Sequence, residues 1–184
     1  SMNTYLGAGA DFGPGDLDAD VVRWSDYLFL EGYLFDKDDG KAAFHKAASA
    51  CHDGGGKAGI ALSDPFCVDR HRADFRRLVR EEMDYVIGNQ HEWTSLYQTT
   101  DLEDALAQAH ADCGTVVCTR SGAEVILIRG QERVEVPVHR VVRADGSLGE
   151  YGGHPEDKRF LLDLEQGADA AHQVAVAPDP EQAA

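Results

Sequence analysis

The chain has 184 residues, 43% hydrophobic and 27% charged, enough for one domain with a proper core. Its net charge of −16 disfavours nucleic-acid backbones and anionic membrane surfaces as partners, which leaves small molecules. A phosphate-bearing ligand remains compatible, held by local donors such as backbone N–H groups, a single Arg, or a bridging Mg²⁺. The four cysteines (Cys51, Cys67, Cys113, Cys118) form no C-x-x-C pair and are expected as packed free thiols. No secretory leader and no apolar run of membrane-spanning length is visible, so a cytoplasmic location is expected.

Short apolar runs alternate with longer helical patterns. Asn3 to Ala8 reads as a strand, and Leu17 to Arg23 as a short helix after Gly13-Pro14-Gly15. Tyr27 to Leu34 (YLFLEGYL) reads as a buried strand with its loop. Lys41 to His52 is Ala-rich and helical, closed by Gly54-Gly55-Gly56. Ala58 to Leu62 is the next strand. A helix is expected from about Asp69 to Met83, with Phe75, Leu78 and Val79 on its apolar face. Asp84 to Ile87 (strand), Gln90 to Tyr97 (helix), Leu102 to Ala111 (helix) and Thr115 to Cys118 (strand) follow. Glu124 to Arg129 and Arg133 to Val136 pair as a hairpin across Gly130-Gln131. Continuous apolar strands separated by helices predict an α/β fold: a mostly parallel, doubly wound sheet with helices on both faces. Arg143 to Ala184 turns to Gly, Asp, Glu, Pro and Ala and reads as a divergent, loosely docked tail, giving a core of 1–142 and a tail of 143–184.

In a parallel sheet, ligands gather at the carboxyl ends of the strands. Three segments lie there. In Leu62-Ser63-Asp64-Pro65, Asp64 is either a helix cap ahead of a stiffening proline or a ligand contact. In Ile87-Gly88-Asn89-Gln90-His91-Glu92, Asn89 and Glu92 share one face of a first helical turn. A carboxylate and an amide at that place can organise a hydrated Mg²⁺ and the phosphates it bridges, and the same pair is also a capping box. His91 reads as an ordinary surface or core histidine. In Val117-Cys118-Thr119-Arg120-Ser121, the strand ends in a small polar loop suited to a nucleotide or simply to a turn.

Taken in order, these segments resemble the ribokinase-like (PfkB) carbohydrate and nucleoside kinase family, in particular its adenosine-kinase-like branch. The resemblance runs from about Met2 to Val142 and rests on MNTYLGA…GPGDLD, YLFLEGYLFD, ALSDPFCVDRHRADF, DYVIGNQHEW and VVCTRSGAEVILIRG. It implies a ribokinase-like core, incomplete in this chain, and an ATP- and Mg²⁺-dependent transfer of phosphate to a hydroxymethyl group of a nucleoside or sugar. By the same resemblance Asn89 and Glu92 organise Mg²⁺ through water, Thr119 and Ser121 lie against the nucleotide, and Asp64 belongs to the cofactor site.

The family's Gly-rich loop (D-[TA]-x-G-A-G-D), whose last Asp takes the acceptor proton, is expected soon after the hairpin. Here the chain reads Val141-Val142-Arg143-Ala144-Asp145-Gly146-Ser147-Leu148-Gly149-Glu150. With Gly146 at the motif's first glycine, the catalytic position carries Gly149, so no catalytic residue is assigned and impaired turnover is expected. The family's amino-terminal half has no counterpart either. A half-sheet of this kind is expected to expose an apolar edge, covered by self-association into a homo-oligomer or by its own tail.

Overall fold

In a computed structural model, residues 7–120 and 124–137 are described. The chain divides into two compact units: Ser1–Cys118 with Leu127–Arg133, and Thr119–Ile126 with Val134–Ala184. Among the described residues six strands form one sheet in the order β1-β2-β3-β4-β5-β6: β1 Tyr27–Glu31, β2 Lys57–Ala61, β3 Tyr85–Asn89, β4 Thr115–Thr119, β5 Glu124–Arg129 and β6 Glu132–Pro137. The first three are parallel and in register, with Glu31 beside Ala61 and Ala61 beside Ile87. The α/β class and the mostly parallel sheet are as the sequence predicts; the described helices, expected on both faces of the sheet, pack instead as one layer, because successive crossovers step in one direction.

Among the described residues five α-helices accompany the sheet: α1 Ala19–Arg23, α2 Asp38–Asp53, α3 Pro65–Glu82, α4 Gln90–Tyr97 and α5 Leu102–Asp112. They pack in sequence, α1 on α2, α2 on α3, α3 on α4 and α4 on α5, as one continuous layer. Crossovers that step repeatedly in one direction along a parallel sheet keep one hand, and so put their helices on one side. The strand residues under that layer (Leu30, Ala58, Ile60, Val86, Val116, Cys118) are buried, and their alternates are more open except Gly59, which the Tyr85 ring covers. Phe35, Phe44 and Phe75 join the helices, with Phe35 4.6 Å from Phe75 and 5.6 Å from Phe44 between ring centroids. All four cysteines are buried free thiols, as expected, and burial pushes Cys67 up to about 11. No described helix is long and apolar enough to cross a membrane.

Several boundaries differ from expectation for local reasons. Gly7–Asp11 is a 3-10 turn, so Gly7 and Ala8 do not extend a strand; the rest of that expected strand, and everything beyond residue 137, lies outside the described residues. After Glu31 the chain turns into a 3-10 helix, Gly32–Asp36, rather than continuing as strand. Gly32 makes this approach feasible, because a Cβ there would sit 2.4 Å from the Ala61 carbonyl oxygen. α3 begins at Pro65, earlier than the apolar periodicity suggests, because Asp64 caps it and Pro65 needs no N–H partner. Its backbone departs from helix at His71 (φ −121°, ψ 25°). There the ring Nε2 lies 2.8 Å from Asp36 Oδ1, and Nδ1 lies 3.2 Å from Lys41 Nζ.

Candidate functional site at the carboxyl ends of β1 to β3

The parallel register brings the ends of β1, β2 and β3 out at one side of the sheet, so Glu31, Asp64, Asn89 and Glu92 gather there. Asn89 is the last residue of β3 and the cap of α4. Its side-chain Oδ1 accepts from the main-chain N–H of His91 (2.9 Å) and of Glu92 (3.0 Å). In return, Glu92 Oε2 accepts from the Asn89 N–H and Oε1 from Asn89 Nδ2, each at 2.7 Å. The capping box is therefore complete, and it fixes the Glu92 carboxylate at the mouth of the helix.

Glu92 is the buried charged residue of the described core, 5% exposed. Burial pushes its carboxyl pKa above the ordinary value of 4.5; the Asn89 N–H bond opposes this, and the charges of Asp64 and Glu31 add to it. A Cβ on Gly88 would lie 2.8 Å from Leu62 Cδ1, 3.1 Å from Trp93 Nε1 and 3.3 Å from Glu92 Oε2, so the main chain here is closely enclosed. Beneath it the fully buried Trp93 donates its indole N–H to the carbonyls of Gly88 and Val117, each at 3.2 Å.

Asp64 accepts from the Phe66 N–H at 2.9 Å and remains half-buried. The preceding Ser63 has a left-handed backbone (φ 66°), an unfavourable conformation for a residue with a Cβ. This turn delivers the Ser63 hydroxyl to Glu31 Oε1 and, at 3.2 Å, to the Ala61 carbonyl. Glu31 and Ser63 are the members that sequence reasoning missed. Glu31 ends an apolar strand directly before a glycine, and that position was the available signal.

Of the expected site residues, Asp64, Asn89 and Glu92 come together. Thr119, exposed at the end of β4, belongs to the second unit; in that unit Arg120 bonds Glu124 through its Oε2 (2.6 Å) and its carbonyl (3.1 Å). Ser121 and Gly149 lie outside the described residues. His91 is exposed at the surface. Among the described residues, no group of three or more His, Cys, Asp and Glu side chains is placed to hold a metal ion directly.

Comparison with known proteins gives these features a family. The model of the pfkB family carbohydrate kinases matches residues 1–143. A second model, the DNA-binding domain of 6-O-methylguanine DNA methyltransferase, matches residues 125–167. No match was found among curated proteins. A probable sugar kinase from Rhizobium etli is 43% identical with a TM-score of 0.71, over 74% of this chain and 42% of that one. The adenosine kinase from Sinorhizobium meliloti is 41% identical with a TM-score of 0.71, over the same shares. A putative ribokinase II from E. coli, solved with ATP and Mg²⁺, has a TM-score of 0.63 at 14% identity over 87% of this chain and 52% of its own, a likeness of fold. The chain thus spans less than half the length of the first two relatives. On the match over residues 1–143 and the ribokinase-like sheet, the chain belongs to the pfkB family of carbohydrate kinases.

Proposed function

We propose that the carboxyl ends of β1–β3 form the Mg·ATP side of a phosphotransfer site acting on a hydroxymethyl group of an adenosine-like nucleoside or a sugar. The observation that carries this reading is the buried Glu92 carboxylate, locked by Asn89 and facing the charges of Asp64 and Glu31. Such a cluster fits a hard divalent cation: it offers carboxylate oxygens, and a cation would offset the cost of the buried Glu92 charge, raised chiefly by burial and further by the charges of Asp64 and Glu31. Both Glu92 oxygens already accept from Asn89, and no described group of three ligands converges directly. Binding through water therefore suits this donor set, and Mg²⁺ commonly keeps several of its waters.

The chemistry that Mg²⁺ would supply if held by Glu92 and Asn89 through water is neutralisation of the phosphate charge. The chain's own residues supply position. Asn89 holds the Glu92 carboxylate, the amino end of α4 presents a positive dipole end to anions, and Asp64 fixes the neighbouring turn. Thr119 and Ser121 are proposed to lie against the nucleotide. No residue is assigned the acceptor's proton, because Gly149 stands at the position expected for the family's Asp. Loss of a general base costs about 10²–10⁴ in rate, so turnover by this chain alone is expected to be slight.

Thermal melting with and without Mg·ATP, paired with a coupled assay on adenosine and ribose, tests this reading. A nucleotide-dependent rise in Tm with little turnover is expected. No shift at millimolar Mg·ATP contradicts the binding site, and robust turnover contradicts the reading of Gly149. The activity belongs in the cytoplasm, where ATP is supplied. A non-catalytic nucleotide-binding remnant is the limiting form of the same proposal.

A second reading, contact with duplex DNA, is supported by the match over residues 125–167. The net charge of −16 opposes it, since DNA affinity comes largely from cations replacing counterions on phosphates. Fluorescence anisotropy with a labelled duplex at low salt separates the two. Salt-sensitive binding favours the DNA reading, and a flat titration removes it.

A further inference from the structure

α3 is two helical pieces, 65–70 and 72–82, joined at His71, whose backbone leaves the helical region. Neither proline nor glycine lies between Phe66 and Glu82, so the ordinary causes of a helix break are missing and the contacts of His71 itself remain. Its side chain is 19% exposed and is used on both ring nitrogens. Nε2 lies 2.8 Å from Asp36 Oδ1, at the end of the 3-10 helix after β1, and Nδ1 lies 3.2 Å from Lys41 Nζ on α2. A carboxylate only accepts and an ammonium only donates, so one form satisfies both contacts: the neutral ring with its hydrogen on Nε2. Residues flanking the break reach α4, where Asp69 accepts from the Ser95 hydroxyl at 2.5 Å and Arg72 donates to the Ser95 carbonyl at 2.9 Å. His71 thus joins the segment after Glu31, α2 and, through its neighbours, the helix that carries Glu92.

We propose that His71 is a positioning residue and a proton-sensitive pivot: neutral, it holds the first piece of α3, with Asp64 at its head, beside the carboxylate cluster, and a proton on Nδ1 releases that piece. The proton puts an N–H where Lys41 now donates, so two cationic groups face each other across 3.2 Å and the bond opens. Asp74 holds Lys41 at 2.7 Å, so the ammonium keeps its place and the ring moves. The charged groups around the ring are Asp36 from the 3-10 helix, Lys41 from α2, and Arg70 and Asp74 from α3. They are two acids and two bases, so their charges balance and the direct Lys41 contact decides what a proton does. The bearing of this pivot on nucleotide rests on the Mg·ATP reading above; the pivot itself does not.

Hydrogen exchange of the full chain without nucleotide, corrected for the intrinsic effect of pH, tests the pivot between about pH 8 and pH 5, where histidine side chains change charge. On acidification the amides of residues 66–70 should lose at least ~10-fold of their protection in the wild type. They should keep it in His71→Gln, which retains an N–H for Asp36 and takes no proton, and in Lys41→Met, which lacks the opposing ammonium. Nitrogen-15 spectra of the wild-type ring at pH 8 should show the Nε2–H tautomer, a readout that needs no variant. In calorimetric titration with Mg·ATP, affinity should fall between pH 8 and pH 6 by at least ~5-fold more in the wild type than in His71→Gln. A flat wild-type exchange profile, the same profile in His71→Gln, or an Nδ1–H ring overturns the pivot. Equal losses of affinity overturn its coupling to the site. Absence of Mg·ATP binding by the wild type overturns the nucleotide reading, and the exchange result still decides the pivot.

Discussion

Asn89 and Glu92 are bonded in both directions: the Asn89 amide oxygen takes the N–H of Glu92, and the Glu92 carboxylate takes two N–H groups of Asn89, each at 2.7 Å. The pair is both a helix cap and a held carboxylate. A capping box is usually a surface feature, whereas here its glutamate is buried, and that burial turns a local stabiliser into a candidate cation site.

Glu92 should make stability depend on pH with a particular sign. Its folded pKa lies above the ordinary 4.5, so over the window between the two values the folded state binds more protons than the unfolded one. Stability from this group is present below 4.5 and is lost as pH rises through the folded value. Urea melts across pH 4–8 should show the wild-type chain losing stability relative to Glu92→Gln as pH rises. Parallel curves would contradict the burial argument.

Trp93 anchors α4 under the site through two carbonyls. Trp93→Phe keeps most of the apolar volume but leaves the Gly88 and Val117 oxygens without that donor, at a cost of about 1–3 kcal/mol. Trp93→Ala adds a cavity and should cost about 3–5 kcal/mol. Denaturant midpoints check the order, and an alanine variant milder than the phenylalanine one would refute it.

Gly32→Ala should destabilise by about 1–3 kcal/mol, because its Cβ meets main chain, which cannot swing aside as a side chain can. Gly15→Ala, with nothing within 4 Å, serves as the control and should stay within ~0.5 kcal/mol. Equal losses in the two variants would rule out the steric account of the β1 turn.

Acid should loosen the contacts around Lys41. Asp36 is held below 3.8 chiefly by its bond to His71, against a burial effect, with Arg70 assisting; Asp74 is held low chiefly by its bond to Lys41 at 2.7 Å. Depressed carboxyls stabilise above the unfolded pKa, and their contribution is lost as pH falls through the folded one. Both side chains are more than a third exposed, so solvent screens the effect. The double variant Asp36→Asn with Asp74→Asn should flatten the acid limb below pH ~4 in a melting series. An unchanged limb would show that these pairs do not govern it.

Much of this was legible because the sequence signals were local. Asn89-Gln90-His91-Glu92 spells its own cap, and the strand-to-helix turns at Asp64 and Asn89 follow from capping chemistry. The start of α3 was placed late, because the residues between Pro65 and Asp69 lack a clean apolar stripe while the cap decides the boundary. Glu31 and Ser63 were not legible, since their meeting depends on the register of β1 against β2 and on a left-handed turn that no serine announces. Nor does the local pattern reveal the burial of Glu92, which depends on tertiary packing around the β3–α4 turn, where its Oε2 lies beside Gly88.

The most direct test of the central claim is calorimetric titration of Mg·ATP into the wild-type chain and into Glu92→Gln, with ATP in chelator as the reference. The account predicts Mg²⁺-dependent binding by the wild type and a weakening of at least ~10-fold in the variant. Equal affinities, or no binding by the wild type, would contradict it.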